Sequence, residues 1–180
     1  IRREDSLFRI WDAGCSSGEQ AYSLAILLYE NGLVERVKIY STDMNDELLE
    51  RGKAGIYPLD KMKKYTVNYQ KAGGQDSFSK YYGARYENAI MKSHLKKNII
   101  WAQHNLASDS SFNEFQLIIC RNVLIYFNDV LQNRVHKLLY DSLADQGILA
   151  LGAKESIKFT PFEESFEEID GKWKIYRKVR

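Results

Sequence analysis

What most constrains this chain is a rhythm of apolar runs and amphipathic stretches, kept at both ends and lost in the middle. Phe8–Ala13 is a short apolar run ending at Gly14, and it reads as a strand. "SGEQAYSLAILLYENG" follows, with Ala21, Leu24, Ala25, Leu27 and Leu28 at helical spacing. Ser17 is its expected N-cap, Glu19 lies in the first turn, and Gly32 stops it. "VKIYSTD" predicts a second strand ending at Asp43. "MNDELLERGKAG" predicts a second helix, capped by Asn45 and closed by Gly52 or Gly55.

From Tyr57 to about Trp101 the rhythm breaks. Seven of the twenty Tyr and Phe residues fall between Tyr57 and Tyr86. "PLDKMKKYTVNYQ" predicts a helix, and the rest predicts two or three short strands with turns. An antiparallel insertion fits this better than another βαβ unit. The rhythm returns at "FQLIICRN" (Phe115–Asn122), a fully apolar strand of the buried parallel type. A helix capped by Asn128 and closed by Gly147 follows, then the buried strand "ILALGAKES". The end reads as two alternating runs joined by a hairpin turn at Asp170-Gly171. The expected fold is α/β, a doubly wound, mostly parallel, Rossmann-like sheet with a C-terminal antiparallel hairpin. One domain over residues 1–180 is expected, with a small antiparallel β insertion at about 75–104.

In such a sheet, ligands sit at the carboxyl ends of the strands. That points to Ala13–Glu19, Asp43, Asn105-Leu106 and Arg121–Tyr126. Within the first of these, Gly14-Cys15-Ser16-Ser17-Gly18 matches G-x-S-x-G, the nucleophile elbow of serine hydrolases. That reading needs a later acid and then a histidine. His136 lies mid-helix, His94 lies in the polar insertion, and His104 with Asp43 is the one remaining pair. An elbow also comes after several strands, whereas this loop follows the first. A ligand cradle is the better reading. Gly14 and Gly18 let backbone approach a ligand. Asp43 ends the second strand, where a carboxylate can accept from both hydroxyls of a ribose. The plainer alternatives are that Asp43 caps the next helix and that Glu19 answers the helix dipole. The loop is not G-x-G-x-x-G, which disfavours a dinucleotide. It carries an acid and neither Lys nor Arg, which suits a cationic ligand such as S-adenosylmethionine, with its ammonium and sulfonium.

Composition narrows the partners. The net charge is +2, from 26 basic and 24 acidic residues, too even for a nucleic-acid coat. Two cysteines, Cys15 and Cys120, have no spaced Cys/His partners, so no metal site is expected. They are expected as free thiols in a reducing, cytoplasmic interior. No apolar run approaches the ~20 residues of a membrane span, so no membrane insertion is expected. The opening "IRREDSLFRIW" runs almost directly into a strand, which suggests a fragment whose natural N-terminal part is missing.

"AGCSSGEQAYSLA", "STDMNDELLERGKAGIYPLDKM", "HNLA" and "LIICRNVLIYF" resemble the catalytic domain of CheR-type chemotaxis receptor methyltransferases. These are S-adenosylmethionine-dependent protein-glutamate O-methyltransferases of the class I methyltransferase fold. The resemblance runs from about Arg9 to Lys178 and implies roles at matching positions. Ala13 and Gly14 would meet the methionine ammonium with backbone, and Glu19 would pair with it. Asp43 would hold the ribose, with Met44 beside it. Asn105 and Leu106 would flank the adenine. Arg121 and Asn122 would stand at the methionine end, and Tyr126 near the transferred methyl. Tyr126 and Arg121 are thus the implied catalytic residues, and S-adenosylhomocysteine the implied product. The implied partners are the cytoplasmic helical domains of chemoreceptors, gripped in some members through the small β-subdomain, and a monomer is expected. Lys61, Lys63, Lys64 and Lys71 give the insertion helix a basic side, either a solvated face or one turned to acidic receptor helices. Two departures stand out. The family loop usually reads S-T-G-E-E, so Gln20 loses a charge here, and the family's N-terminal helical domain is absent from this chain.

Overall fold

The computed structural model describes residues 7–180. In chain order the elements are β1 (Phe8–Ala13), α1 (Glu19–Glu30), β2 (Val37–Asp43), α2 (Asp46–Ala54), β3 (Ile56–Pro58), α3 (Lys61–Lys71), β4 (Tyr82–Arg85), β5 (Asn88–Met91), α4 (Ser93–Lys96), β6 (Ile99–Gln103), β7 (Phe115–Cys120), α5 (Asp129–Ser142), β8 (Leu143–Leu151), β9 (Phe166–Asp170) and β10 (Ile175–Lys178). Seven strands form one sheet in the order β6-β2-β1-β7-β8-β10-β9. β6, β2, β1, β7 and β8 run parallel, and β10 and β9 close the edge antiparallel. The chain winds outward from β1 to β6, then crosses back to β7 on the other side of β1. The switch point therefore lies between β1 and β7, at whose carboxyl ends ligands sit in sheets of this kind.

Period-two alternation builds the two cores. Ile10 and Ile119 face α1, against Ala21, Tyr22, Ala25 and Ile26. Trp11, Ala13, Ile118, Cys120 and Leu149 face the other way, against Val135, Leu138 and Leu139 of α5. Helices on both faces and a parallel centre are the doubly wound layout expected.

The insertion forms a second sheet of three strands, order β3-β5-β4, antiparallel throughout. Its bounds differ from the expected 75–104. β3 at Ile56–Pro58 belongs to it, while Ile99–Gln103 pairs in register with β2 as the outer strand of the large sheet. Three other details differ from expectation. Gly18, not Ser17, caps α1, because that position takes a left-handed φ of 87° that a Cβ would strain. α5 ends at Ser142, five residues before Gly147, because the chain turns directly into β8 at Leu143. Gly147 instead ends an excursion of β8 that skips register against β7, with Gln146 left-handed. The C-terminal hairpin turns over Gly171–Lys174 rather than at two residues, since Asp170 Oδ1 accepts from the amides of Lys172 and Trp173. Asn45 and Asn128 cap α2 and α5 as expected, accepting from Glu47 and Leu48, and from Leu131.

Candidate cofactor site

The loop after β1 is built by its backbone. The amides of Gly14 and Cys15 both donate to Thr42 O, at 2.8 and 2.9 Å, which pins the loop to the end of β2. Gly14 has φ of 75°, and a Cβ there would lie 2.5 Å from Val123 Cγ2. The loop after β1 and the loop after β7 therefore touch at a point where only glycine fits. Ser16 is left-handed too, with its amide donating 2.9 Å to Asp43 Oδ2. The other oxygen of Asp43 accepts from Asn45 N at 3.0 Å. Asp43 thus orders both the first loop and the approach to α2, but the N-cap of α2 is Asn45, so Asp43 is not that cap. Trp101 of β6 wedges the loop from below: a Cβ on Gly18 or on Gly52 would each come within 2.5 Å of its ring.

Three carboxylates surround this loop. Glu19 accepts from Ser17 Oγ at 2.7 Å and from the Tyr65 hydroxyl at 3.2 Å. Asp43 stands at the end of β2. Asp12 is fully buried in β1, with Gln20 Nε2 donating 2.6 Å to one oxygen and Ser41 Oγ 3.3 Å to the other. Burial raises Asp12 to about 6, and the hydrogen bonds from Gln20 and Ser41 pull the other way. Burial, with all three acids nearby, pushes the Cys15 thiol far up. Cys15 and Cys120 are both buried, free thiols.

Glu19 and Arg121 line one cavity of about 890 Å³, which runs along α1 past Tyr65 and Tyr69 to Trp173. Arg121 is the one cationic side chain among its described lining residues. Asp43, Met44, Asn122 and Tyr126 stand outside that cavity. Met44 is exposed, and its carbonyl accepts from Gln103 Nε2 at 3.1 Å. Asn105 follows His104, whose amide donates 3.1 Å to Asp43 O. The Asn105 side chain turns its own loop, accepting from Ala107 N. Leu106 is buried with Trp11 and Ala13. Tyr126 is 80% exposed, in a short 3₁₀ turn after β7.

The loop that carries Arg121, Asn122 and Tyr126 is held by a residue the sequence reading missed. Glu155, buried after β8, accepts from four backbone amides. Asn122 N and Gly152 N donate to Oε2 at 3.0 and 2.6 Å, and Val123 N and Leu124 N to Oε1 at 2.8 Å each. This fixes Asn122 in its left-handed conformation, φ 60°. Tyr57, Tyr65 and Trp101 were likewise missed as site residues. The one available signal was the crowding of aromatics in the insertion.

The elbow reading finds no partner for Ser16. His104 is buried edge-on to Trp11, ring centroids 5.3 Å apart, and its Nε2 lies 3.2 Å from Ser110 O. His136 is buried in α5, where burial lowers its pKa. Among the described residues no histidine meets Ser16.

A sheet of this order, with an acidic glycine-flanked loop at its switch point, defines the class I S-adenosylmethionine-dependent methyltransferase fold. Solved structures agree on the fold. The N-methyltransferase NodS from Bradyrhizobium japonicum, in complex with S-adenosylhomocysteine, superposes with a TM-score of 0.54 at 13% identity over 97% of this chain and 80% of its own. A TehB-like methyltransferase from Corynebacterium glutamicum gives 0.53 at 14% identity, over 96% and 79%. Sequence is more specific. The family described as "CheR methyltransferase, SAM binding domain" matches residues 1–175, and the chain belongs to it. Cher3 of Pseudomonas putida is 51% identical over 170 residues, covering 94% of this chain and 62% of that protein. A chemotaxis protein methyltransferase of Borreliella burgdorferi is 33% identical over 169 residues, covering 88% and 56%. The chain therefore spans little more than half the length of these relatives. The cofactor of the domain is S-adenosylmethionine, and the chemistry of the donors fits its cationic end: three carboxylates surround the loop. Among the described residues no helix is long and apolar enough to cross a membrane.

Proposed function

We propose that this domain transfers the methyl group of S-adenosylmethionine to glutamate side chains of chemoreceptor cytoplasmic helices, giving glutamate methyl esters and S-adenosylhomocysteine. The observation that carries the reading is the charge layout at the switch point. Asp12, Glu19 and Asp43 crowd one loop, and Arg121 is the one cation among the described residues lining the adjoining cavity. The acids suit a cationic cofactor, and Arg121 suits an anionic acceptor. Glu19 and the backbone of Ala13 and Gly14 would hold the ammonium. Asp43, with Met44 beside it, would hold the ribose. Asn105 and Leu106 would close the adenine end, and Asn122 would border the methionine end with Arg121.

S-adenosylmethionine supplies a methyl already activated on a sulfonium sulfur. A glutamate side chain has a reference pKa of about 4.3 and is a carboxylate at neutral pH, so no general base is required. The absence of a Ser16–histidine pair is no handicap for such a reaction. The protein's part is alignment and exclusion of water. Arg121 would orient the incoming carboxylate, and Tyr126, exposed on the loop after β7, would close over it. The partner surface we assign is the small sheet with the basic side of α3, acting as a monomer in the cytoplasm.

The test is incubation with methyl-labelled S-adenosylmethionine and receptor cytoplasmic domains. Base-labile label on glutamate is expected. Label that resists base, or none with the full-length protein, refutes the reading.

A further inference from the structure

The Glu19 carboxylate is gripped from two sides. Ser17, on the loop itself, donates to Oε2 at 2.7 Å. Tyr65, on α3 and 46 residues away in sequence, donates to Oε1 at 3.2 Å. The Tyr65 ring is placed by its neighbours. Tyr57 of β3 stands edge-on to it at 6.4 Å and donates 2.7 Å to Ser17 O, the carbonyl two residues before Glu19. α3 is anchored at its far end as well. Glu30, the last residue of α1, accepts from the hydroxyls of Tyr69 and Tyr81 and from Gln75 N. Insertion and α1 are thus stapled at both ends of the cavity, and Tyr65 shares that cavity with Glu19 and Arg121.

We propose that Tyr65 is a positioning residue for cofactor recognition, fixing Glu19 in the orientation that receives the ammonium of S-adenosylmethionine. The proposal rests on the reading of Glu19 given above. A carboxylate has about four lone-pair sites, so two hydroxyl donors leave others for a cation. A free glutamate side chain would have to lose rotamer freedom on binding, and the clamp removes part of that loss beforehand. Burial, and then the nearby charge of Glu19, raise the Tyr65 hydroxyl to about 12, so it remains a donor at neutral pH. The insertion then has a second role besides meeting partners: it completes the cofactor site.

The test is calorimetric binding of two ligands, S-adenosylhomocysteine and 5′-methylthioadenosine, which shares the nucleoside and sulfur but lacks the ammonium. Tyr65→Phe keeps the ring and removes the donor. It is expected to weaken S-adenosylhomocysteine roughly two- to tenfold, the worth of one hydrogen bond, and to leave methylthioadenosine within about twofold. In a Glu19→Ala background it should cost nothing further. Equal weakening of both ligands by Tyr65→Phe, or no weakening of either, overturns the proposal. Glu19→Ala alone separates the two failures. If it discriminates between the ligands and Tyr65→Phe does not, only the role of Tyr65 falls. If it does not discriminate, the reading of Glu19 falls and takes the role of Tyr65 with it.

Discussion

Replacing Glu155 by Gln exchanges one oxygen for an amide nitrogen at a carboxylate that accepts four backbone bonds. The two amides at that oxygen, Asn122 with Gly152 or Val123 with Leu124, lose their acceptor and face a donor instead. A hydrogen bond to a charged group is worth about 1.5–3 kcal/mol, so the gross loss is about 3–6 kcal/mol. The variant no longer buries a charge, and that relief offsets part of the loss. A net destabilisation of about 2–4 kcal/mol follows. In a domain of this size 1 kcal/mol moves Tm by ~2–4 °C, so thermal unfolding should show a fall of roughly 4–16 °C. The same substitution frees Asn122 from its left-handed conformation and loosens Val123 against Gly14. Affinity for S-adenosylhomocysteine should therefore fall as well, measured well below the variant's own Tm. A Tm within about 2 °C of the parent would mean that the four bonds are replaceable by water, and would refute the account of this loop.

Gly14→Ala puts a Cβ 2.5 Å from Val123 Cγ2 at φ 75°, so it should lower both Tm and cofactor affinity. Adding Val123→Ala should recover only part of the Tm, because the strained φ remains. Gly52→Ala meets the Trp101 ring at 2.5 Å and should shift Trp101 fluorescence together with cofactor affinity. Asp12 has a folded pKa of about 6, above its unfolded value of 3.8. Its contribution is therefore full below about pH 4 and lost as pH rises through 6, a change of roughly 3 kcal/mol at 1.36 kcal/mol per unit. Asp12→Asn should flatten unfolding free energy against pH across that window, and an unchanged slope would assign it to other groups. Tyr126→Phe in the full-length protein should slow methyl transfer while leaving S-adenosylhomocysteine affinity unchanged; full activity would remove any role for the hydroxyl.

Much of the fold was legible because it is written locally. The apolar runs at Phe8–Ala13 and Phe115–Cys120, the caps at Asn45 and Asn128, and the terminal glycine-bearing turn each act over a few residues. The positions of Asp43 at the end of β2 and of Glu19 in the first turn of α1 were legible for the same reason, since both are short-range properties. What failed was long-range. That Ile99–Gln103 joins β2 rather than the insertion is decided by pairing across more than fifty residues of chain. Glu155 fell inside the run "ILALGAKES" read as a buried strand, but β8 ends at Leu151, and only its return beside β7 brings Glu155 under four amides.

Asp12 and Gln20 show the limit most clearly. In sequence, Asp12 is one of two charged residues, with Arg9, in a run read as apolar, and Gln20 is a lost charge in the loop after β1. In the structure they are one feature: the Gln20 amide reaches back 2.6 Å to the buried Asp12 carboxylate. The negative charge missing at residue 20 is present a layer deeper, beneath the backbone of the same loop. A Glu at position 20 would face that carboxylate in a buried site, where two like charges raise each other's pKa. Gln there is the partner a buried aspartate requires, and the acidic character of the loop is kept by a residue with no exposed surface.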